Sequence, residues 1–196
     1  MLTLLHTAAV HVATFDTLRD QIAPGAALRH LVHPELLAEA QDGISPDLEA
    51  RIADLVGAPG PVICTCTTIG EVAARHGATR IDQPMMRKAA SLGRVVMAYA
   101  LDSTKDPSCD LFLAEGGRAE DLQMLDLTHL WPLFERQDVT AFHAAIADAV
   151  REVPGDCDGI VLAQASMAGA ARLVDEATPV LTSPELALRH GLAISG

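Results

Sequence analysis

The chain of 196 residues has few aromatic side chains, 3% of the total, although 49% of its residues are hydrophobic. Its core must therefore consist of Ala, Leu, Val and Ile, as is common where helices pack on a parallel sheet. Basic residues are scarce too: 14 Lys and Arg against 26 Asp and Glu give a formal net charge of -12. We therefore expect neither nucleic acid nor an anionic membrane among its partners.

Long apolar runs and nucleotide-binding glycine motifs are also missing. No run reaches the roughly 18 residues of a membrane span, and the N-terminal stretch MLTLLHTAAVHVA has no basic leader. We therefore expect a cytoplasmic protein. Neither GxGxxG nor GxxxxGK follows a predicted strand, which argues against dinucleotide-binding and P-loop enzymes.

The four cysteines show neither a disulfide framework nor a zinc-ribbon spacing; they are Cys64, Cys66, Cys109 and Cys157. One interpretation makes Cys64 and Cys66 half of a metal site, with His30 and His33 as the other half. No second CxC or CxxC completes a tetrahedral ligand set, however, and we expect no metal. Cysteines without such a role are ordinarily small buried hydrophobic residues.

Apolar segments of strand length alternate with helical patterns, which is typical of an α/β fold. The predicted strands cover residues 2–6, 27–32, 62–66, 94–101, 123–127, 158–163 and 179–181. The predicted helices cover residues 12–22, 45–56, 85–92, 139–150 and 166–176, and two more begin at residues 68 and 183. A polar loop is predicted over residues 102–107. Each half of the chain thus repeats the order strand, polar loop, helix.

The segment PVICTCTTIGEVAA, residues 61–74, carries the clearest chemical signal. Its apolar strand leads into a helix that we expect to begin at Thr68, because Thr68 and Glu71 have the spacing of a capping box. The thiol of Cys66 then lies beside free backbone N–H groups and the positive end of a helix dipole. Such surroundings lower the pKa of a thiol and attract anions.

A second segment repeats this plan. ICTCTTIGEVAA aligns with VLAQASMAGAAR at a constant offset, so that Thr68 and Ser166 both become helix caps and Cys66 matches Gln164. We therefore predict an α/β protein of two pseudo-symmetric Rossmann-like lobes, each a mainly parallel sheet flanked by helices.

The predicted lobes follow from the position of this repeat. The first lobe is expected to comprise residues 1–92 and 184–196 and to carry Cys66. The second is expected to comprise residues 93–183 and to carry Gln164. We expect one site between the two lobes.

These motifs resemble the Asp/Glu/hydantoin racemase superfamily, which includes aspartate and glutamate racemases, hydantoin racemase, maleate isomerase and arylmalonate decarboxylase. The resemblance rests on VICTCTTIGEVA, IDQPMM, IVLAQASMAGAARL and PVLTSP and covers essentially the whole chain in order. It implies two facing lobes that each supply a cysteine to one side of a substrate carbon, with no metal, pyridoxal phosphate or nicotinamide cofactor. It also implies a small carboxylate-like substrate.

The resemblance assigns residues by position. Cys66 matches the first-lobe cysteine, whereas Gln164 stands where the second-lobe cysteine would be. An amide cannot donate and recover a proton at neutral pH, so a two-cysteine racemase mechanism is not expected. We expect instead a cofactor-independent isomerase or lyase with Cys66 as its single catalytic thiol. The neighbours implied to bind the substrate are Thr67, Thr68, Ser166 and Met167.

Polar residues after other predicted strands are further candidates, because ligands bind beyond the carboxyl ends of parallel strands. His6 could orient the substrate or act as a base, and Gln164 could hydrogen-bond it. Asp82 could be a helix cap or a catalytic carboxylate. Substrate-binding candidates at these strand ends are Thr7, Ser103 and Thr104.

Other interpretations stay open. The chain could be a true amino-acid or hydantoin racemase that uses Cys66 with another base, for which His33, Glu35 and His129 are candidates. It could also be a non-catalytic protein that binds a small carboxylate, or a hydrolase with Cys66 as acyl nucleophile. We expect a homo-oligomer. The remaining helical histidines, which are His76, His143 and His190, are expected on the surface.

Overall fold

The computed structural model of the protein describes residues 1–41, 43–174 and 177–196. In chain order the strands are β1 (Leu2–His6), β2 (Leu28–Val32), β3 (Val62–Cys64), β4 (Thr79–Arg80), β5 (Val95–Tyr99), β6 (Leu122–Asp126), β7 (Gly159–Leu162) and β8 (Val180–Thr182). The α-helices are α1 (Val10–Ile22), α2 (Pro34–Ala40), α3 (Pro46–Val56), α4 (Thr67–Arg75), α5 (Gln83–Ala90), α6 (Asp102–Ala114), α7 (Trp131–Glu135), α8 (Val139–Arg151) and α9 (Ser183–Ala193). The 3-10 helices are Ala119–Asp121, Thr128–Leu130 and Ala165–Leu173.

Two four-stranded sheets share one topology. Their strand orders are β2-β1-β3-β4 and β6-β5-β7-β8, and every pairing between these strands is parallel. In each sheet the first strand of its half lies in the middle, next to the strand that leads to Cys66 or Gln164. The prediction of two α/β lobes with parallel sheets is confirmed.

The chain divides into two compact units. One consists of Met1–Ile81 with Pro184–Gly196, and the other is Asp82–Ser183. The division therefore falls earlier than the expected position after residue 92, and α5 belongs to the second unit. The reason is packing, since α5 contacts α6 and β7 of that unit.

The core of the first unit forms where α2, α3 and α4 pack on its sheet. In α3, Leu48, Ile52 and Val56 recur at helical spacing and are buried with Leu5 of β1. Burying side chains of this size contributes about 1.5–3 kcal/mol each relative to exposure. Ser45 caps this helix by accepting a hydrogen bond from the N–H of Leu48 at 3.2 Å.

Helix α9 joins the first unit because it can approach the sheet closely. A Cβ atom at Gly191 would lie 2.6 Å from Cδ1 of Ile63 and 2.7 Å from Cδ2 of Leu2. Only glycine fits such a contact, so the C-terminal helix packs directly against β1 and β3.

The core of the second unit forms on the apolar face of α8. Phe142, Ile146 and Val150 lie four residues apart and pack against Val96 and Leu162 of the sheet. Asp138 caps α8 by accepting a hydrogen bond from the N–H of Ala141 at 3.1 Å.

Several predicted boundaries were wrong. The predicted loop over residues 102–107 is the beginning of α6, with Asp102 in its first turn, where a carboxylate stabilises the positive helix end. The helix predicted from Ser166 is the 3-10 helix Ala165–Leu173, and its predicted end at Glu176 lies outside the described residues. No helix of the described chain combines the length and the apolarity needed to cross a membrane.

The buried face of α8 should carry much of the stability of the second unit. Ile146→Ala removes a fully buried side chain and should lower the free energy of unfolding by about 2–5 kcal/mol. Val139→Ala, in the same helix but 41% exposed, is the control and should change it by less than about 0.5 kcal/mol. Chemical denaturation of both variants checks this, and equal losses would contradict the assigned core.

Candidate active site

The thiol of Cys66 lies where β3 passes into α4. Cys66 has extended backbone angles, φ -106° and ψ 122°, and occupies the N-cap position of α4, which begins at Thr67. The predicted cap at Thr68 is therefore wrong: Thr68 is the second residue of the helix, and the strand geometry persists through Cys66. Cys66 is 9% exposed, and both Thr67 and Thr68 are exposed. The first N–H groups of a helix have no partner within it, so this helix start offers donors to an anion.

Cys64, two residues earlier, is a different kind of cysteine. It is fully buried in β3, and its thiol donates a hydrogen bond to the carbonyl oxygen of Cys66 at 3.5 Å. The other two cysteines, Cys109 and Cys157, are half-buried in the second unit. Burial raises the pKa of Cys109. Among the described residues, no three of His, Cys, Asp and Glu are placed to hold a metal ion together.

His6 supports the segment that precedes Cys66. It ends β1 and is fully buried, and its Nδ1 lies 2.8 Å from Oγ1 of Thr65. Its Nε2 lies 2.9 Å from Nδ1 of His30, so both ring nitrogens contact protein groups. Burial, followed by the neighbouring His30 and His11, lowers the pKa of His6 from 6.5 to about 4. His6 is therefore neutral at pH 7 and holds Thr65 in place; Thr7, the next residue, is also buried.

Gln164 occupies the corresponding place in the second unit. It is the N-cap residue of the 3-10 helix Ala165–Leu173, with φ -115° and ψ 141°. Its Oε1 accepts a hydrogen bond from the N–H of Ala100 at 2.7 Å. Because a backbone N–H can only donate, this contact identifies the oxygen of the amide and leaves the Nε2 hydrogens for donation.

His143 stabilises the turn that follows Gln164. Nε2 of His143 donates to the carbonyl oxygen of Ser166 at 2.8 Å, so His143 is half-buried and not the surface residue that was expected. A Cβ atom at Gly169 would lie 2.2 Å from Cε1 of His143, which explains the glycine. Ser166 is the second residue of the 3-10 helix and not its cap. Met167 is fully buried in the second core.

A polar group at the end of β5 and β6 was missed by the sequence analysis. Tyr99, the last residue of β5 and the counterpart of His6, is buried, and its hydroxyl bonds to Asp126. Asp126 accepts hydrogen bonds from the N–H of Thr128 at 2.8 Å and from its hydroxyl at 2.7 Å. The two Thr128 bonds lower the pKa of Asp126, while burial and then Asp126 raise the pKa of Tyr99. The available signal was the position of Tyr99, the single tyrosine, at a central strand end.

The remaining candidates lie at element ends. His33 is the N-cap residue of α2, and its Nδ1 bonds to Oε1 of Glu35 at 2.8 Å, which lowers the pKa of Glu35. His129 is an exposed residue of a 3-10 helix. Asp82 is a buried N-cap residue of α5 without a side-chain capping bond. Of the α6 candidates, Ser103 is exposed and Thr104 half-buried in the first turn.

Comparison with known proteins identifies the fold. No protein-family model matches the chain, and no curated protein sequence does. The aspartate racemase of Picrophilus torridus superimposes with a TM-score of 0.64 at 14% identity, over 98% of this chain and 94% of the racemase. The glutamate racemase of Thermus thermophilus, solved in complex with β-chloro-D-alanine, gives 0.59 at 13%, over 96% and 77%. That of Aquifex pyrophilus gives 0.54 at 11%, over 96% and 81%. The chain therefore has the fold of these racemases.

The buried neutral His6 should make stability depend on pH. The unfolded chain takes up a proton at a pKa of 6.5 and the folded chain only near 4, so the free energy of unfolding should fall as the pH decreases through this window. His6→Asn should lose this part of the pH dependence, whereas His76→Gln, at the surface beside Glu49, should keep it. Denaturation curves at about pH 7 and about pH 5 test this; identical slopes in wild type and His6→Asn would refute it.

The Gln164 side chain should protect the amide of Ala100. Gln164→Met removes the acceptor of a fully buried N–H and should cost about 1–3 kcal/mol of stability. Amide exchange at Ala100 should become faster in this variant. Gln164→Glu keeps an acceptor oxygen and should preserve slow exchange; if both variants exchange alike, the hydrogen bond has no such role.

Proposed function

We propose that the chain is a cofactor-independent isomerase or lyase of the Asp/Glu racemase superfamily. It acts on a small carboxylate or a related compound through a single catalytic thiol, that of Cys66. The observation that carries this proposal is the position of Cys66 at the N-cap of α4, in a fold shared with an aspartate racemase.

The start of α4 supplies what a small carboxylate needs. With a formal net charge of -12, the protein as a whole repels anions, so binding depends on local donors. The N–H groups and hydroxyls of the exposed residues Thr67 and Thr68 are such donors, and the helix dipole adds to their attraction. Cys66 is the residue directly before them, and the proposed reaction requires its thiol to meet a carbon near the bound carboxylate.

Gln164 argues for binding and against a second proton transfer. Its oxygen is engaged with the N–H of Ala100, and its remaining amide hydrogens can bond a carboxylate or amide oxygen of a ligand. A carboxamide does not ionise near pH 7, so it cannot return a proton to a carbanion. This supports chemistry that needs one thiol only.

Two reactions fit one thiol. In isomerisation, the thiolate adds to an activated carbon–carbon double bond, rotation follows about the resulting single bond, and the thiolate leaves with its electron pair. In decarboxylation, carbon dioxide leaves with cleavage of a carbon–carbon bond, and the thiol protonates the carbanion that remains. Neither reaction requires a base on the opposite face.

Aspartate or glutamate racemisation is the second candidate, favoured by the likeness to solved racemases. It requires another base opposite Cys66. The two ring nitrogens of His6 are engaged with Thr65 and His30, which argues against His6 in that role. Two further candidates for the second base are His33 and His129. His33 is hydrogen-bonded to Glu35, and His129 is exposed.

Turnover in deuterated water separates these functions. Maleate, arylmalonate, aspartate, glutamate and a hydantoin are incubated with the protein and followed by proton NMR. We expect isomerisation or decarboxylation of an unsaturated or malonate-type acid, without exchange of the α-proton of the amino acids. Rapid exchange with racemisation would establish the second candidate instead.

Cys66→Ser should lower kcat/KM by about 10³-fold or more, since removal of a catalytic nucleophile has effects of at least this size. Cys109→Ser, which changes a half-buried cysteine of the other unit, is the control and should leave kcat/KM unchanged. Ligand binding without any turnover, unaffected by Cys66→Ser, would identify a non-catalytic binding protein.

A further inference from the structure

Four side chains of the first unit form a continuous polar chain from the surface to the segment before Cys66. Oδ1 of Asp16, on α1, lies 3.5 Å from Nε2 of His30. Nδ1 of His30 lies 2.9 Å from Nε2 of His6, and Nδ1 of His6 lies 2.8 Å from Oγ1 of Thr65. Asp16 is 40% exposed, and the His30 side chain is 15% exposed. The Asp16 end of this polar chain therefore reaches solvent, while His6 is fully buried.

The outer nitrogen of His30 requires a hydrogen. Nε2 of His30 is buried and has no hydrogen-bond partner within the described residues; the Asp16 carboxylate oxygen is the acceptor that faces it. A bare lone pair here would oppose a carboxylate, which is unfavourable. We therefore place a hydrogen on Nε2 of His30, directed toward Asp16, in both protonation states of this polar chain.

In the state without an additional proton, the hydrogen on Nε2 of His30 determines the direction of the other hydrogen bonds in this polar chain. Nδ1 of His30 is then an acceptor, so His6 donates from Nε2. Nδ1 of His6 becomes an acceptor in turn, and the hydroxyl of Thr65 donates to it. All hydrogen bonds run outward, from Thr65 to Asp16.

One additional proton, on Nδ1 of His30, reverses the inner bonds. His30 becomes an imidazolium and donates to Nε2 of His6, whose own hydrogen is now on Nδ1 and is donated to Thr65. The Thr65 hydroxyl then donates to the carbonyl oxygen of Leu5, with which its Oγ1 makes a hydrogen bond at 3.1 Å. The two states differ by one proton, taken up from solvent.

The surroundings place this proton on His30 and not on His6. Burial and the positive charge on His30 oppose a second proton on His6, whose pKa is about 4. Two other titratable or charged side chains of the described residues face this polar chain. They are His11, stacked on His6 with ring centroids 6.0 Å apart, and Arg19. Arg19 shares Oδ1 of Asp16 at 3.3 Å and bonds to Asp20 at 2.8 Å.

We propose that Asp16 and His30 are positioning residues for Cys66: the proton that this pair binds decides whether the Thr65 hydroxyl donates to His6 or to Leu5. Thr65 immediately precedes Cys66, and its N–H also bonds to the Leu5 carbonyl at 2.9 Å. The surface pair thereby couples pH to the polar surroundings of the thiol. The significance of Cys66 in this inference rests on the proposed function, whereas the coupling to Thr65 does not.

Imidazole nitrogen NMR tests the coupling directly. In wild type, His6 should change from the Nε2–H to the Nδ1–H tautomer as the pH is lowered and His30 becomes doubly protonated. Asp16→Asn removes the carboxylate that faces Nε2 of His30, so the tautomer change should occur at a lower pH. Asp20→Asn, which alters another partner of Arg19 on the same helix, should leave it in place. A single His6 tautomer throughout, or equal shifts in both variants, would overturn the proposal.

The rate at which iodoacetamide alkylates Cys66, measured by mass spectrometry across the same pH range, tests the link to the thiol. The rate should show an inflection at the pH of the His6 tautomer change. Thr65→Val should abolish this inflection, and Thr65→Ser, which keeps the hydroxyl, should retain it. A tautomer change without any inflection would refute the positioning role. Neither measurement uses turnover, so a failure of the proposed enzymatic function would be recognised separately.

Discussion

The parallel pairing of a central strand with the next strand of its sheet determines where Cys66 and Gln164 lie. In the first unit the N–H of Thr65 bonds to the carbonyl of Leu5 at 2.9 Å, and in the second the N–H of Ala163 bonds to that of Ala98 at 3.0 Å. These bonds keep the chain extended for one or two residues beyond the strand. The next helix therefore begins at the carboxyl end of the sheet, where its unpaired N–H groups can bind a ligand.

This shared backbone carries different side chains in the two units. The central strand of the first unit ends at His6 and that of the second at Tyr99. The N-cap residue is Cys66 in one case and Gln164 in the other. The thiol of Cys66 can take part in proton transfer and nucleophilic addition, whereas an amide held by a backbone N–H is suited to hydrogen bonding. In the function proposed above, this divergence of side chains on one repeated backbone assigns the chemistry to Cys66 and a binding role to Gln164.

The sequence allowed the strands of both sheets, except the two-residue edge strand β4, and the positions of Cys66 and Gln164 to be predicted, because apolar strands and a constant offset are local patterns. Helix starts were less predictable: the residues around Thr68 have a capping-box spacing, but the strand pairing extends the chain and moves the N-cap to Cys66. The polar chain could not be predicted at all. Asp16 and His30 lie on α1 and β2, and only the tertiary packing of these elements brings them to His6.

A buried histidine with a lowered pKa commonly indicates a general base, but the surroundings of His6 support another interpretation. A base must reach its substrate within hydrogen-bonding distance, and the ring of His6 is enclosed by Thr65, His30 and Phe15, the last with ring centroids 5.7 Å apart. The same burial that lowers its pKa therefore removes it from direct contact with a ligand. Its neutrality serves a different purpose: an uncharged imidazole has one donor and one acceptor, and so it can transmit a reversal of hydrogen bonds from Asp16 to Thr65 without holding a charge in the core.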